Sequence, residues 1–390
     1  MKIALFSDTF PPQVNGVANT VHRFALALGE LGHEVRVFTI SGSPTKELAR
    51  YTEEKFSLHL FPSTKAVVYP ELRAGIPFVK LFSAINAFAP DIIHTHTPFA
   101  VGWNAVRCAR RLKVPLVGTH HTFFDHYLRH VYLEYEWARA LSWRMTVRYY
   151  NYCDLVISPT HSLAEALKEH GLKKPIEVIP NILDTDFFAP APHATTRAQK
   201  TLVYMGRLSY EKSIDDTLAA AALVMQQLPA THMLVIGDGP ERTKLEQLAA
   251  ELGIVEQTTF TGYLHGAELV QKLQEADVFI TGSKSENMPL ALLEAMAVGL
   301  PIVAVHSLGL GEILKHGGNA FLVEPGQPHA LAESALQLLQ DDALHRQFAD
   351  MSRRMSLRYS KPVAVKRMVE MYEQSIGYAA TPDAMDDLKK

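Results

Sequence analysis

Residues 276–301 constrain what this chain can fold into more than any other stretch. The apolar run Ala276-Asp277-Val278-Phe279-Ile280-Thr281 reads as a strand buried on both faces, as in a parallel sheet. A polar loop follows, Gly282-Ser283-Lys284-Ser285-Glu286-Asn287-Met288. Pro289 then opens a run of strong helix formers, Leu290 to Ala297, and Gly299 and Pro301 stop it. Glu286 lies in the loop and Glu294 inside the helix. Backbone N–H groups over 287–290 favour an anion in front of the helix. Two carboxylates flanking such a helix end suit a sugar nucleotide, whose hydroxyls need acceptors and whose diphosphate needs donors.

A length of 390 residues allows two or three domains. With 47% hydrophobic and 20% charged residues the chain is globular in type, and a net charge of −3 leaves no basic excess for nucleic acid. Cys108 and Cys153 form no CxxC pair; a reduced compartment fits them best, and a disulfide stays open. The N-terminal apolar run is too short for a signal peptide, and no run reaches transmembrane length. The expectation is a cytoplasmic protein, at most peripheral at the inner face of the membrane.

Periodicity predicts strands over 2–6, 34–39, 91–94, 114–119, 154–158 and 176–180, with helices over 20–31 and 101–112. Residues 42–90, broken by Pro62, Pro70 and Pro77, carry no readable period. Residues 184–200, rich in proline, alanine and threonine, read as an inter-domain linker. The alternation then restarts, with strands over 201–205, 232–236, 258–260, 277–281 and 302–305 and helices over 215–227 and 267–275. Two such blocks imply two doubly wound α/β domains facing one cleft. A last amphipathic helix over 361–376 carries Val363, Val365, Met368, Met371 and Tyr372, and the tail from Thr381 is polar.

In doubly wound folds the chemistry gathers past the carboxyl ends of the strands. Two histidine runs fall there, His94-Thr95-His96-Thr97 and His120-His121-Thr122, the second followed by Asp125-His126-Tyr127. In the second block the first strand leads into Gly206-Arg207-Leu208-Ser209-Tyr210-Glu211-Lys212, whose planar guanidinium and mobile ammonium suit a diphosphate. Another strand leads into Gly237-Asp238-Gly239. Of the G-x-G-x-x-G pattern the first loop holds only Gly16, so nicotinamide or flavin binding is not supported; a tight turn is the bland account of that glycine.

Taken together, S-x-x-E-x7-E-A-M-A-x-G-x-P over 283–301, G-R-L-x-x-E-K over 206–212 and P-P-Q-V-N-G-V over 11–17 resemble the retaining glycosyltransferases of family 4. Diacylglycerol glucosyltransferases and glycolipid mannosyltransferases are the nearest members. The resemblance implies a GT-B fold: an acceptor domain, 1–183 with a helix crossing back at 362–390, and a nucleotide-sugar domain, 184–361. It implies that Glu286 contacts the donor sugar, Glu294 the ribose, and Arg207 and Lys212 the leaving diphosphate. His121 would sit near the anomeric centre. Gly16, Gly206, Gly237, Gly239, Asn287, Met288, Pro289 and Leu290 would shape the donor site. No metal or cofactor is implied. The sequence departs from the family at Ser213 and Ile182, where many members have glycine.

The same resemblance points to a lipid acceptor near Asp125 and Tyr127. Arg144 and Arg148 share one side of an expected helix over 137–150, near Trp137, Trp143 and Tyr150, and could face an anionic membrane; a core-packing helix is the alternative. The expected reaction is glucosyl transfer from UDP-glucose to a glycerolipid, or else mannosyl transfer from GDP-mannose to a glycolipid or polysaccharide. Two other classes stay in view. A metal-dependent hydrolase would use His94, His96, His120, His121, Asp125 and His126, and leaves the second-domain motifs without a task. A non-catalytic sugar-nucleotide sensor or a phosphorylase would keep the fold.

Overall fold

The computed structural model describes residues 1–13, 15–40, 55–65, 73–75, 81–122, 135–192, 199–307 and 309–379. The chain divides into two compact units, Met1–Ile182 with Pro362–Lys390, and Leu183–Lys361.

Unit 1 holds strands β1 (Lys2–Ser7), β2 (Glu34–Ile40), β3 (Ser57–Phe61), a small antiparallel pair β4 (Ser63–Lys65) and β5 (Arg73–Gly75), then β6 (Ile92–Thr95), β7 (Leu116–Thr119), β8 (Leu155–Ser158) and β9 (Ile176–Val178). The main sheet is parallel in the order β3-β2-β1-β6-β7-β8-β9, so the winding reverses between β1 and β6. Ile3, Leu5, Ile92 and Val117 face one helix layer, while Ala4, Phe6, Ile93 and Leu116 face the other. This two-sided burial accounts for the unbroken apolar runs.

The first helix, Gly16–Glu30, begins four residues before the expected 20, because the Asn15 side chain caps it by accepting from the Ala18 amide at 2.8 Å. β3 lies in the stretch that showed no period. It is an edge strand with partly exposed faces, and such a strand carries little hydrophobic signal.

Unit 2 holds β10 (Thr201–Met205), β11 (His232–Ile236), β12 (Thr258–Gly262), β13 (Val278–Thr281), β14 (Ile302–Val305) and β15 (Ala320–Val323). Its parallel sheet runs β12-β11-β10-β13-β14-β15, reversing between β10 and β13. β15 was not expected from the sequence.

The linker reading of 184–200 fails for its first part. Phe188 is buried in the core of unit 2, and the Arg353 guanidinium donates to the carbonyls of Thr185, Phe188 and Ala297 at 2.9–3.0 Å. A segment tied down in this way is part of the domain. The last helix, Lys361–Ala379, packs Ala364, Val365, Met368 and Tyr372 into the core of unit 1, while Val363 is exposed. The tail from Thr381 lies outside the described residues.

Gly237, just past β11, has φ +143, and a Cβ there would collide with the Gly206 carbonyl oxygen. Gly239 is equally crowded by the Leu208 carbonyl. Both glycines are therefore demanded by the contact of two backbone loops. Gly237→Ala is expected to cost about 1–3 kcal/mol of stability, read as a lower denaturation midpoint. An unchanged midpoint would contradict this packing.

Candidate active site

In unit 2 the site grows from the two strands at which the winding reverses, the position where doubly wound sheets bind ligands. β10 feeds the loop 206–212 and β13 feeds the loop 282–289. Leu208 is fully buried, and its amide donates to Asp238 O at 3.0 Å, which pins the loop carrying Arg207. Tyr204, almost fully buried below, donates its hydroxyl to Arg207 O at 3.3 Å. A single 3-10 turn, Tyr210–Lys212, then presents the lysine. Ser213, where family members have glycine, takes a left-handed φ of +44, a conformation that glycine adopts without strain.

Lys212 Nζ reaches across to Glu286 Oε1 at 2.7 Å, the two side chains being 21% and 13% exposed. Two groups expected to act on separate parts of one ligand are thus paired with each other. Glu286 is braced from the backbone side as well: its carbonyl accepts from the Ser307 hydroxyl at 3.2 Å and the Gly309 amide at 3.3 Å. Gly309 is obligatory there, because a Cβ would collide with the Asn287 carbonyl. Sequence reasoning missed Ser307 and Gly309; the glycines of 309–311 were the available signal.

The helix after this loop is Leu290–Ala297, with Pro289 as its N-cap rather than in its first turn. Pro289 has no N–H, so the amides expected over 287–290 are those of Asn287, Met288 and Leu290. Gly299, at φ +85, closes the helix: its amide bonds Met296 O and that of Leu300 bonds Ala295 O, a Schellman pair. Glu294 is 6% exposed, so it is no solvated helix residue.

In unit 1 the histidine runs stand at the ends of β6 and β7. His94 has both nitrogens occupied, Nδ1 by the Tyr372 hydroxyl and Nε2 by Thr119 Oγ1, each at 2.6 Å. His120 is fully buried, with its ring 5.0 Å from that of Tyr150 and 6.4 Å from that of Trp143. His121 is only half-buried, and its Nε2 lies 3.1 Å from His96 Nδ1. Of the two neighbours, His120 is the core residue and His121 the accessible one.

With both nitrogens of His94 taken by hydroxyls, the hydrolase reading loses a ligand. Among the described residues no group of three or more His, Cys, Asp or Glu is arranged to hold a metal. Asp125, His126 and Tyr127 lie outside the described residues.

A further residue, unexpected from sequence, is Asp8. Its buried carboxylate accepts from Thr97 Oγ1 at 2.7 Å and from the amides of Val101 and Gly102 at 2.9 and 3.3 Å. It caps the helix Ala100–Leu112 from a distant part of the chain, while the local N-cap, Phe99, offers no side-chain bond. Gly16 has neither a positive φ nor crowding, since a Cβ there meets nothing within 4 Å. The tight-turn account of Gly16 therefore falls.

The helix Glu136–Tyr150 buries Trp143, Val147 and Tyr150, so two of the aromatic residues expected on its outer face belong to the core. Exposed instead are Trp137 (61%), Leu141 (47%) and Met145 (63%), an i, i+4, i+8 stripe. Arg144 and Arg148 line a groove of about 660 Å³ with Trp143, Tyr152 and His170.

Burial pushes His94, His120 and His121 down to about 3 and His96 well below its ordinary value, so all four are neutral at neutral pH. On unfolding they regain the ordinary 6.5, so their stabilisation is complete above that pH and drains as pH falls from 6.5 toward 3. Asp8, raised to about 6 by burial against the pull of its three donors, acts oppositely. Four imidazoles outweigh one carboxyl. The thermal midpoint is expected to be lower at about pH 5 than at about pH 7; an equal or higher midpoint would contradict the neutral cluster.

Comparison with known proteins identifies the family of the chain. The family Glycosyltransferase Family 4 matches residues 14–187, and Glycosyl transferases group 1 matches residues 188–355. An alpha-monoglucosyldiacylglycerol synthase of Streptococcus pneumoniae is 31% identical over 323 residues, covering 78% of this chain and 71% of the relative. A GDP-mannose-dependent alpha-mannosyltransferase of Mycobacterium tuberculosis is 26% identical over 392 residues, covering 98% and 99%. Among solved structures, Anabaena HepE in complex with UDP-glucose aligns with a TM-score of 0.76 at 19% identity, over 96% of this chain and 100% of that one. That likeness establishes the fold, GT-B. In both halves of its sequence the chain belongs to the family 4, group 1 glycosyltransferases, and it is a hexosyltransferase.

Proposed function

We propose that this enzyme moves glucose from UDP-glucose to a diacylglycerol-type glycerolipid with retention of configuration, releasing UDP. The observation that carries the donor half is the pairing of Lys212 with Glu286 across the β10/β13 reversal. An ammonium and a helix N-terminus stand beside a carboxylate, with Arg207 on the same loop as the ammonium, and that combination serves a diphosphate on one side and sugar hydroxyls on the other. Arg207 and Lys212 neutralise charge that develops on the departing diphosphate, whose oxygen takes the acceptor's proton. Glu286, freed from Lys212 when the diphosphate takes its place, accepts from the sugar, and Glu294 from the ribose. His121 contacts the hexose. No metal or cofactor has a role in this scheme.

The lipid half is supported by the named activity of the pneumococcal relative and by the exposed stripe Trp137, Leu141 and Met145 beside Arg144 and Arg148. Apolar side chains flanked by arginines suit an anionic membrane face. Among the described residues no helix is long and apolar enough to cross a membrane. A second reading, mannosyl transfer from GDP-mannose, is favoured by the near-complete coverage of the mycobacterial mannosyltransferase.

The test supplies UDP-glucose or GDP-mannose with diacylglycerol or a glycolipid in anionic vesicles, or with a polysaccharide, and identifies the product formed. Glucosyl-diacylglycerol from UDP-glucose is expected; product from GDP-mannose alone would establish the second reading. Lys212→Ala should raise the barrier by about 2–4 kcal/mol while the chain stays folded. Near-normal turnover in that variant would remove the diphosphate assignment. Arg144→Glu with Arg148→Glu should weaken vesicle binding, and unchanged binding would take this helix off the membrane.

A further inference from the structure

His121 is held by a second imidazole to which the reaction above gives no task. His96 Nδ1 and His121 Nε2 are 3.1 Å apart, and the two rings stack with centroids 5.3 Å apart and planes 20° from parallel. On its other side His96 meets His94, ring centroids 4.1 Å apart. His94 cannot turn, because Tyr372 and Thr119 hold its two nitrogens. His96 is 2% exposed, and its Nε2 has no hydrogen-bond partner among the described residues.

Both rings are neutral, since burial depresses their basicity, and a neutral imidazole has one donor nitrogen and one acceptor. A single proton therefore lies between them, in one of two arrangements. Were it carried by His121 Nε2, His96 Nδ1 would accept it, and His96 Nε2 would hold a buried N–H with no acceptor. Were it carried by His96 Nδ1, His96 Nε2 would be a bare lone pair. Among buried backbone groups an orphaned N–H is rarer than an under-satisfied acceptor, and the same preference, carried over to the imidazole, selects the second arrangement. His121 then accepts at Nε2 and carries its own proton at Nδ1.

We propose that His96 is a positioning residue that fixes the ring plane and tautomer of His121, so that His121 offers an Nδ1–H to a hydroxyl of the transferred sugar. The proposal rests on the reading of His121 as a hexose contact. His94, Thr119 and Tyr372 form the wall behind it, and through Tyr372 the C-terminal helix takes part in ordering the site.

The full chain labelled with ¹⁵N-histidine tests this directly, because ring nitrogen shifts distinguish the two tautomers and His121→Gln assigns the His121 signals. The expected wild-type pattern is a His121 protonated at Nδ1. In His96→Leu the proton should move to Nε2 and kcat should fall about tenfold, the rate equivalent of one hydrogen bond. His96→Asn, whose amide N–H replaces the Nδ1 donor, should restore both. A wild-type His121 protonated at Nε2, or an Nδ1 proton that persists in His96→Leu, overturns the proposal. His121→Ala separates the two levels. A wild-type rate there removes the hexose contact and with it the functional half of the inference, whereas a lost rate alongside an Nε2 tautomer overturns the role of His96 alone.

Discussion

The ion pair between Lys212 and Glu286 joins the loops that leave β10 and β13, and the groups around the candidate site in unit 2 hold those two loops in register. Both side chains keep some exposure, so the pair serves to position the two loops more than to stabilise the fold, and either partner can be removed with the chain still folded. The surroundings work to keep the pair in register. Tyr204 and Leu208 fix the loop that carries Arg207 and Lys212. Ser307 and Gly309 fix the carbonyl of Glu286. Glycines stand at four close backbone approaches of these loops, at 237, 239, 282 and 309. In the proposed scheme a bound diphosphate takes the ammonium without leaving the carboxylate idle, because the hydroxyls of a sugar supply the donors it loses.

Unit 1 solves a different problem, that of keeping polar side chains inside a core. Asp8, His94, His96 and His120 are all at least nine-tenths buried. Buried polar groups are tolerated when hydrogen-bonded. Asp8 meets two helix amides and a threonine hydroxyl, and His94 meets two hydroxyls. One of those hydroxyls belongs to Tyr372, on a helix that reaches unit 1 only after the chain has passed through the whole of unit 2.

Much of this was legible in the sequence, for identifiable reasons. Central parallel strands are buried on both faces, so β1, β10 and β13 stood out as apolar runs. The strand, loop and helix around Glu286 and Glu294 carried their own punctuation in Gly299 and Pro301. What stayed hidden was long-range. β3 is a half-exposed edge strand, and nothing local shows that it pairs with β2. The apparent linker at 184–192 is held by Arg353, far along the chain, which no local composition can reveal. The helix 136–150 showed the right amphipathic residues but not which of them face out, and Trp143 and Tyr150 turned inward. His120 and His121 were adjacent in sequence and indistinguishable there; their ring contacts separate them.

Hydrogen exchange of the full chain, measured with and without UDP or GDP, most directly tests the claim that the β10/β13 reversal is the donor site. The account predicts slowed amide exchange over 206–212 and 283–292 with the nucleotide that binds, centred on the loops that the Lys212–Glu286 pair joins. Slowing confined to other parts of the chain, or none in those two loops at saturating nucleotide, would contradict it.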